Sequence, residues 1–178
     1  MAAVMRLGVD EAGVTELMGV TEHARAMATT AAALLLESLA SGTSLVAPLD
    51  PAAEASEVCE RLAEIAAWTE ANLGGREAPR LWRILARNPH YLEATWRKEM
   101  AVMADGVLAA RDKRRTALGV AMAVRGRYMI EYHAAILRRA GDTDSDLLEV
   151  LGVVDHYTTL NTLSEGMQIE SDIRPPAW

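Results

Sequence analysis

The sequence predicts an all-α protein, and three observations support that prediction. Apolar residues make up 51% of the 178-residue chain, yet aromatic residues make up only 4% and phenylalanine is absent. Alanine, leucine, valine and nine methionines must therefore fill the core, and mostly small or unbranched side chains favour helices over sheets. Apolar residues also recur at helical spacings between caps and breakers, and no alternating run is long enough to predict a strand.

Four helices are predicted in the first 106 residues from a cap or a proline at the start and small or turn-forming residues at the end. The predicted starts are Asp10, Asp50–Pro51, Pro79 and Asn88–Pro89. The predicted ends are residues 40–43, residues 73–75, the residue before Asn88, and Gly106. The first of these helices is long and rich in alanine, with no obvious polar face between Ala24 and Leu36.

Three more helices are predicted in the rest of the chain. They run from about Ala110 to Val124, from the break at Gly126 to Gly141, and from a cap at 142–144 through Val154. The tail at 173–176 is predicted not to be helical, because it contains Pro175 and Pro176.

One internal similarity points to a duplicated helix. Residues 16–23 are similar to residues 149–156, and His23 and His156 set an offset of 133 (156 − 23). The same offset is kept by Thr29 and Thr162, Glu37 and Glu170, and Ser38 and Ser171. Two equivalent helices related by pseudo-symmetry explain this pattern, and the alternative is chance similarity between two helices of similar composition.

Charge and targeting patterns exclude several classes of function. Eighteen basic and twenty-five acidic residues give a net charge of −7, which argues against nucleic-acid binding. The most apolar stretch, residues 31–36, is far shorter than the roughly 20 residues that a membrane span needs. Acidic residues precede that stretch where a signal peptide would be basic, so we expect a cytoplasmic protein without membrane contact.

The cysteine and histidine content limits the possible chemistry. Cys59 is the single cysteine, which excludes an internal disulfide, a cysteine-based zinc site and a dithiol within one chain. The four histidines form no pair four residues apart and no His-Glu-x-x-His pattern, so no metal site and no cofactor are predicted.

The segment Lys113 to Ala140 resembles the central motif of the AhpD and carboxymuconolactone decarboxylase superfamily. In that family a helix ends at a Cys-x-x-Cys pair and a histidine follows four residues later; here Tyr128 and His133 occupy the family's aromatic and histidine positions. Residues 85–92 and 142–153 resemble the segments before and after the motif. The resemblance implies one all-helical domain over residues 1–178, with the motif region at about 79–171, and a homo-oligomer, either a trimer or a hexamer.

The resemblance does not imply the family's thiol chemistry. The two cysteine positions hold Gly126 and Met129, and the family's acidic residue falls at Arg114 or Arg115. A thiol peroxidase needs one thiolate to attack the peroxide and a second thiol to resolve the sulfenic acid, and glycine and methionine supply neither.

The residues left at the motif predict acid–base chemistry on a small organic acid. We expect His133 to be the proton donor or acceptor, with Tyr128 as its hydrogen-bonding partner. The predicted substrate-binding residues are Arg114, Arg115, Met129 and His156. The reaction would be a decarboxylation, an isomerisation or a lactone rearrangement.

Other interpretations of these residues remain open. His133 could be a satisfied core histidine beside solvated arginines. The chain could be a non-catalytic binding or assembly subunit that keeps the fold. A third alternative is an alkylhydroperoxidase-like antioxidant enzyme that uses Cys59 between subunits.

Overall fold

The computed structural model describes residues 8–39 and 56–169, and these two ranges contain eight helices and no strand. The helices are α1 (Glu11–Thr30), α2 (Ala32–Leu39), α3 (Ser56–Leu73), α4 (Arg80–Leu85), α5 (Pro89–Met103), α6 (Ala110–Ala123), α7 (Arg127–Arg139) and α8 (Asp144–Gly166). The predicted all-α class is confirmed. The predicted boundaries at 40–43, at Asp50–Pro51 and at 173–176 lie outside the described residues.

The predicted helix starts are set by local hydrogen bonds. Asp10 accepts a hydrogen bond from the backbone N–H of Gly13 at 2.8 Å and caps α1. Asn88 caps α5 in the same way, with Pro89 at the first helical position. Thr143 caps α8 in a capping box with Asp146, whose carboxylate accepts from the Thr143 N–H at 2.6 Å.

The long first helix of the prediction is divided in two. The break falls at Ala31, between α1 and α2. The hydroxyls of Thr29 and Thr30 donate to the carbonyls four residues earlier, at 3.2 and 2.9 Å, and such back-bonding bends helices. At the other end of the chain, α8 extends well past Val154, the last residue predicted in it.

Helix α6 lies between α1 and α8 and also packs against α7. Its small residues allow this close approach: a Cβ atom added to Gly119 would lie 3.3 Å from a methyl group of Val154 on α8. The largest core cluster is formed by α3, α4, α5 and α7 and contains the buried tryptophans Trp82 and Trp96. Helix α6 therefore carries its residues into the centre of the molecule.

The two helices that carry the similar segments, α1 and α8, flank α6 on two sides, but they differ in environment. His23 on α1 is only 3% exposed, whereas His156 on α8 is exposed. The part of α8 beyond Val154 is exposed along its whole length. None of the described helices combines the length and the apolar character that crossing a bilayer would require.

Candidate functional site

The motif histidine lies on the buried face of α7. His133 shares this face with Met129, Tyr132, Ile136 and Leu137, which recur at helical spacing and pack into the core. His133 is 2% exposed, and neither of its ring nitrogens has a hydrogen-bond partner in the described part of the chain. Buried polar groups are nearly always paired, so an unpaired imidazole in the core requires an explanation.

Beside His133 is a buried group of charged side chains drawn from three helices. Glu99 on α5 is 0% exposed. One of its carboxylate oxygens lies 2.6 Å from Nε2 of His23 on α1, and the other lies 2.6 Å from Nη1 of Arg114 on α6. We call His23, Glu99, Arg114 and His133 the buried ionic cluster.

The charges of the cluster shift its pKa values. Burial alone would raise the pKa of Glu99, but the charge of Arg114 and the hydrogen bond from His23 outweigh it and lower the pKa to about 2. Burial, reinforced by the charge of Arg114, lowers the pKa of His133 to about 3. Glu99 is therefore a carboxylate and His133 a neutral imidazole near neutral pH.

Arg114 lies against two aromatic rings. Its Cζ atom lies 5.4 Å from the ring centroid of Trp68 on α3 and 6.0 Å from that of Tyr132. Although Nη1 of Arg114 and the nearer oxygen of Glu99 are close, neither atom makes a well-directed hydrogen bond to any described residue. The guanidinium is thus positioned and charge-paired, while its hydrogen-bonding capacity is incompletely used.

Tyr128 does not act as the predicted hydrogen-bonding partner of His133. Residues five apart on a helix point about 140° away from each other, so the two side chains leave α7 in different directions. Tyr128 instead stacks on Tyr132, with ring centroids 6.4 Å apart. Burial raises the pKa of the Tyr128 hydroxyl, which is therefore a neutral phenol at neutral pH.

The remaining predicted site residues are divided between the cluster and other regions. Met129 is 1% exposed on the His133 face of α7. Arg115 points away from the cluster, and its Nε donates to Asp142 at 2.8 Å. His156 is exposed on α8. Met129 shares the buried face of α7 with His133, and Arg114 is near enough for its charge to lower the pKa of His133, whereas Arg115 and His156 lie elsewhere in this chain.

The two positions where the motif would hold cysteines are packed closely. Gly126 precedes α7, and a Cβ atom added there would lie 3.0 Å from the Cβ of Ala28 on α1. Met129 fills the second position inside the core. Any side chain at position 126 would therefore crowd α1.

Sequence reasoning missed Glu99 and His23, although both carry a recognisable signal. Glu99 interrupts the apolar stripe of α5 formed by Leu92, Trp96 and Met103, and an acid at such a position must be buried with a partner. His23 follows Val20 on the buried face of α1 in the same way. Over the residues that the structure describes, no group of three or more histidine, cysteine or acidic side chains could hold a metal ion.

Comparisons with known proteins agree with this fold and motif. Residues 89–169 match the carboxymuconolactone decarboxylase family. The chain is also similar to the crystal structure of the alkylhydroperoxidase AhpD core from Rhodospirillum rubrum ATCC 11170, with 27% sequence identity, a TM-score of 0.57, and coverage of 67% of this chain and 90% of that one. No curated protein matches the sequence. Both comparisons support the predicted resemblance to the AhpD-like and carboxymuconolactone decarboxylase superfamily, and the chain contains one cysteine.

Proposed function

We propose that this protein binds a small organic acid at the buried ionic cluster without using thiol chemistry. The observation that carries the proposal is the combination of a buried, positively charged Arg114 and a buried His133 with unused hydrogen-bonding groups. A carboxylate would accept hydrogen bonds from the planar guanidinium and from the neutral imidazole N–H, so it would satisfy both groups at once.

Proton transfer by His133 would follow from binding. A carboxylate placed beside the imidazole favours its protonated form and raises its pKa from about 3 towards the range in which histidine exchanges protons. His133 would then act as the acid or base in a decarboxylation, an isomerisation or a lactone rearrangement, with Arg114 holding the substrate carboxylate. Tyr128 would support the site by stacking on Tyr132, and it would not bond directly to His133.

A binding or assembly subunit without catalysis is the second candidate. The exposures of 2% for His133, 1% for Met129 and 6% for Arg114 favour it, because a nearly closed site limits access of a substrate. No described contact favours the alkylhydroperoxidase alternative: Cys59 is half-buried on α3, outside the motif, and the chain supplies no second thiol.

Binding is tested by calorimetric titration of succinate, benzoate and 3-phenylpropionate into the protein at neutral pH. We expect saturable binding of at least one of these acids. The double variant Glu99→Met/Arg114→Met removes both charges of this ion pair together, so neither of the two is left buried without its counter-charge, and it should weaken binding about tenfold to a hundredfold. Circular dichroism confirms that the double variant is folded.

The control for this titration is Arg127→Met, since Arg127 is a fully solvated arginine on α7 with its side chain 92% exposed. We expect this variant to bind as the wild type does. The proposal would be wrong if no acid bound, or if both variants bound acids as tightly as the wild-type protein.

We also propose that the protein forms a homo-oligomer through α8, which carries an exposed apolar stripe. The stripe consists of Val153, Tyr157, Leu160 and Leu163 at helical spacing. A helix that extends from the body of a single chain is marginally stable in water, so a second copy covering this stripe would stabilise it. The trimer or hexamer implied by the resemblance is consistent with this role.

Light scattering tests the proposed oligomer. We expect a mass several times the 19.3 kDa of one chain for the wild type, and a shift towards the monomer for Leu160→Lys/Leu163→Lys. The pair Thr158→Lys/Thr162→Lys introduces the same charges on the opposite side of α8 and should leave the mass unchanged. A monomeric wild-type protein at micromolar concentration would contradict the proposal.

A further inference from the structure

A cleft of about 320 Å³ lies between α3, α5, α6 and α7. Near the C-terminal end of α7 it is lined by the buried Ile136 and Leu137 and by the exposed Ala140, so it lies at the opposite end of that helix from Gly126, the first position where the motif would hold a cysteine. Its volume is at the lower end of the range for small-molecule pockets, which suits a ligand with one ring or a short chain.

Arg114 lies at the inner end of the cleft. Its side chain is 7% exposed and lines the cleft, while Glu99 approaches the same guanidinium from behind. The cleft therefore leads from the surface to Arg114, the member of the buried ionic cluster that lines it. His133 lies one turn before Ile136 and Leu137 on α7, and the charge of Arg114 reaches it.

The walls of the cleft are apolar. They are formed mainly by Trp68, Met100, Met103 and Ile136. The indole ring of Trp68 stacks on the ring of Tyr132, with centroids 6.2 Å apart, and this contact fixes its orientation. An indole ring and flexible methionine side chains that line the same cleft can accept a flat apolar group.

The other arginine that lines the cleft, Arg111, is already paired with a carboxylate. Arg111 stands at the mouth with its side chain 44% exposed and is paired with the buried carboxylate of Asp142, which Arg115 also contacts. None of the described residues that line the cleft is acidic. The cleft thus attracts anions, and the arginine with unused hydrogen-bonding capacity, which could bind one carboxylate, is Arg114.

We propose that this cleft binds a monocarboxylic acid with a flat apolar body, such as an aryl-substituted short-chain acid. The carboxylate contacts Arg114, and the apolar body lies between Trp68 and the methionines. This inference rests on the proposed function and adds to it the entrance, the ligand class and the residues that select the ligand. Trp68, Met100 and Met103 are the specificity-determining residues.

Three probes of similar length test the ligand class by calorimetry and tryptophan fluorescence. 3-Phenylpropionate should bind saturably and change the emission of Trp68, measured against a Trp68→Phe variant. 3-Phenylpropionamide lacks the charge and adipate lacks the apolar end, and each should bind at least about tenfold more weakly.

Ala140→Trp tests the location, because it fills the mouth of the cleft from an exposed position without altering the cluster. It should weaken binding of 3-phenylpropionate at least about tenfold. Ala135→Trp, a matched change at another exposed position of α7 that does not line the cleft, should have no effect.

The outcomes separate this inference from the proposed function. If 3-phenylpropionate binds, and Ala140→Trp weakens its binding while Ala135→Trp does not, both the inference and the proposed function are supported. If succinate or adipate binds more tightly than 3-phenylpropionate, or if Ala140→Trp leaves binding unchanged, the inference is wrong while acid binding at the cluster stands. If none of the acids binds, both are wrong.

Discussion

Replacing Glu99 by glutamine is expected to lower the free energy of unfolding by about 3–5 kcal/mol, the largest loss predicted for this chain. Glu99 is fully buried and is the ion-pair partner of Arg114, so the variant leaves a guanidinium in the core without its counter-charge. Glutamine also keeps only one acceptor oxygen, so it cannot face both His23 and Arg114 with an oxygen as the carboxylate does, each at 2.6 Å. Urea unfolding monitored by circular dichroism measures the loss.

Two controls identify the cause of that loss. The double variant Glu99→Met/Arg114→Met should recover most of the stability, because removing both charges of a buried pair costs much less than removing one. Glu93→Gln, at a partly exposed acid on the same helix that pairs with Arg61, should cause a far smaller loss. If Glu99→Gln and Glu93→Gln lowered the free energy of unfolding by the same small amount, the pair of Glu99 and Arg114 would not be a main source of stability.

Acidification is expected to destabilise the protein over an unusually wide pH range. The pKa of His133 is about 3 in the folded protein against an ordinary value of 6.5, so the unfolded chain binds a proton that the folded chain does not. Stability is therefore fully present above about pH 6.5 and decreases as the pH falls towards 3. For one such group, the free energy of unfolding changes by at most about 1.4 kcal/mol per pH unit.

Glu99 adds to this effect in a lower pH range. Its pKa of about 2 lies below the ordinary 4.5, so its contribution is present above pH 4.5 and is lost as the pH falls through that range towards 2. Between pH 6.5 and 4.5 the slope therefore reports mainly on His133.

The variant His133→Gln isolates the contribution of the imidazole. We expect it to flatten the dependence of the unfolding free energy on pH between 6.5 and 4.5, whatever its effect on absolute stability. His90→Gln, at an exposed histidine near the start of α5, should leave the slope unchanged. An unchanged slope in His133→Gln would show that this imidazole titrates normally.

Much of the fold could be predicted from local sequence signals. Asp10, Asn88 and Thr143 cap helices because their side chains accept bonds from free backbone N–H groups, and that chemistry is visible in the sequence. The break at Ala31 could not be predicted, since the apolar pattern continues across it and the bend depends on threonine hydroxyls. The extent of α8 was also missed, although Tyr157, Leu160 and Leu163 continue the helical spacing of apolar residues beyond Val154.

The sequence pointed to Arg114 and His133 of the candidate site but not to their neighbours, because helix geometry and tertiary packing decide which side chains meet. Arg114 and Arg115 are adjacent, and one residue is a rotation of about 100° around a helix, so one faces the core and the other faces Asp142. The motif alone left the choice between them open. Glu99 and His23 come from helices outside the central motif, and only their tertiary packing brings them to Arg114.

The central claim is that His133 is a buried, neutral imidazole beside the site that binds a small acid. Nuclear magnetic resonance of its ring nitrogens tests this claim most directly, with the signals identified by their loss in His133→Gln. The claim predicts a neutral ring between pH 7 and 4.5 in the free protein. It also predicts a saturable change in these signals, with a raised pKa, when the tightest-binding of the three acids is added at neutral pH. A ring that is half-protonated near pH 6.5, or that does not respond to saturating acid, would contradict it.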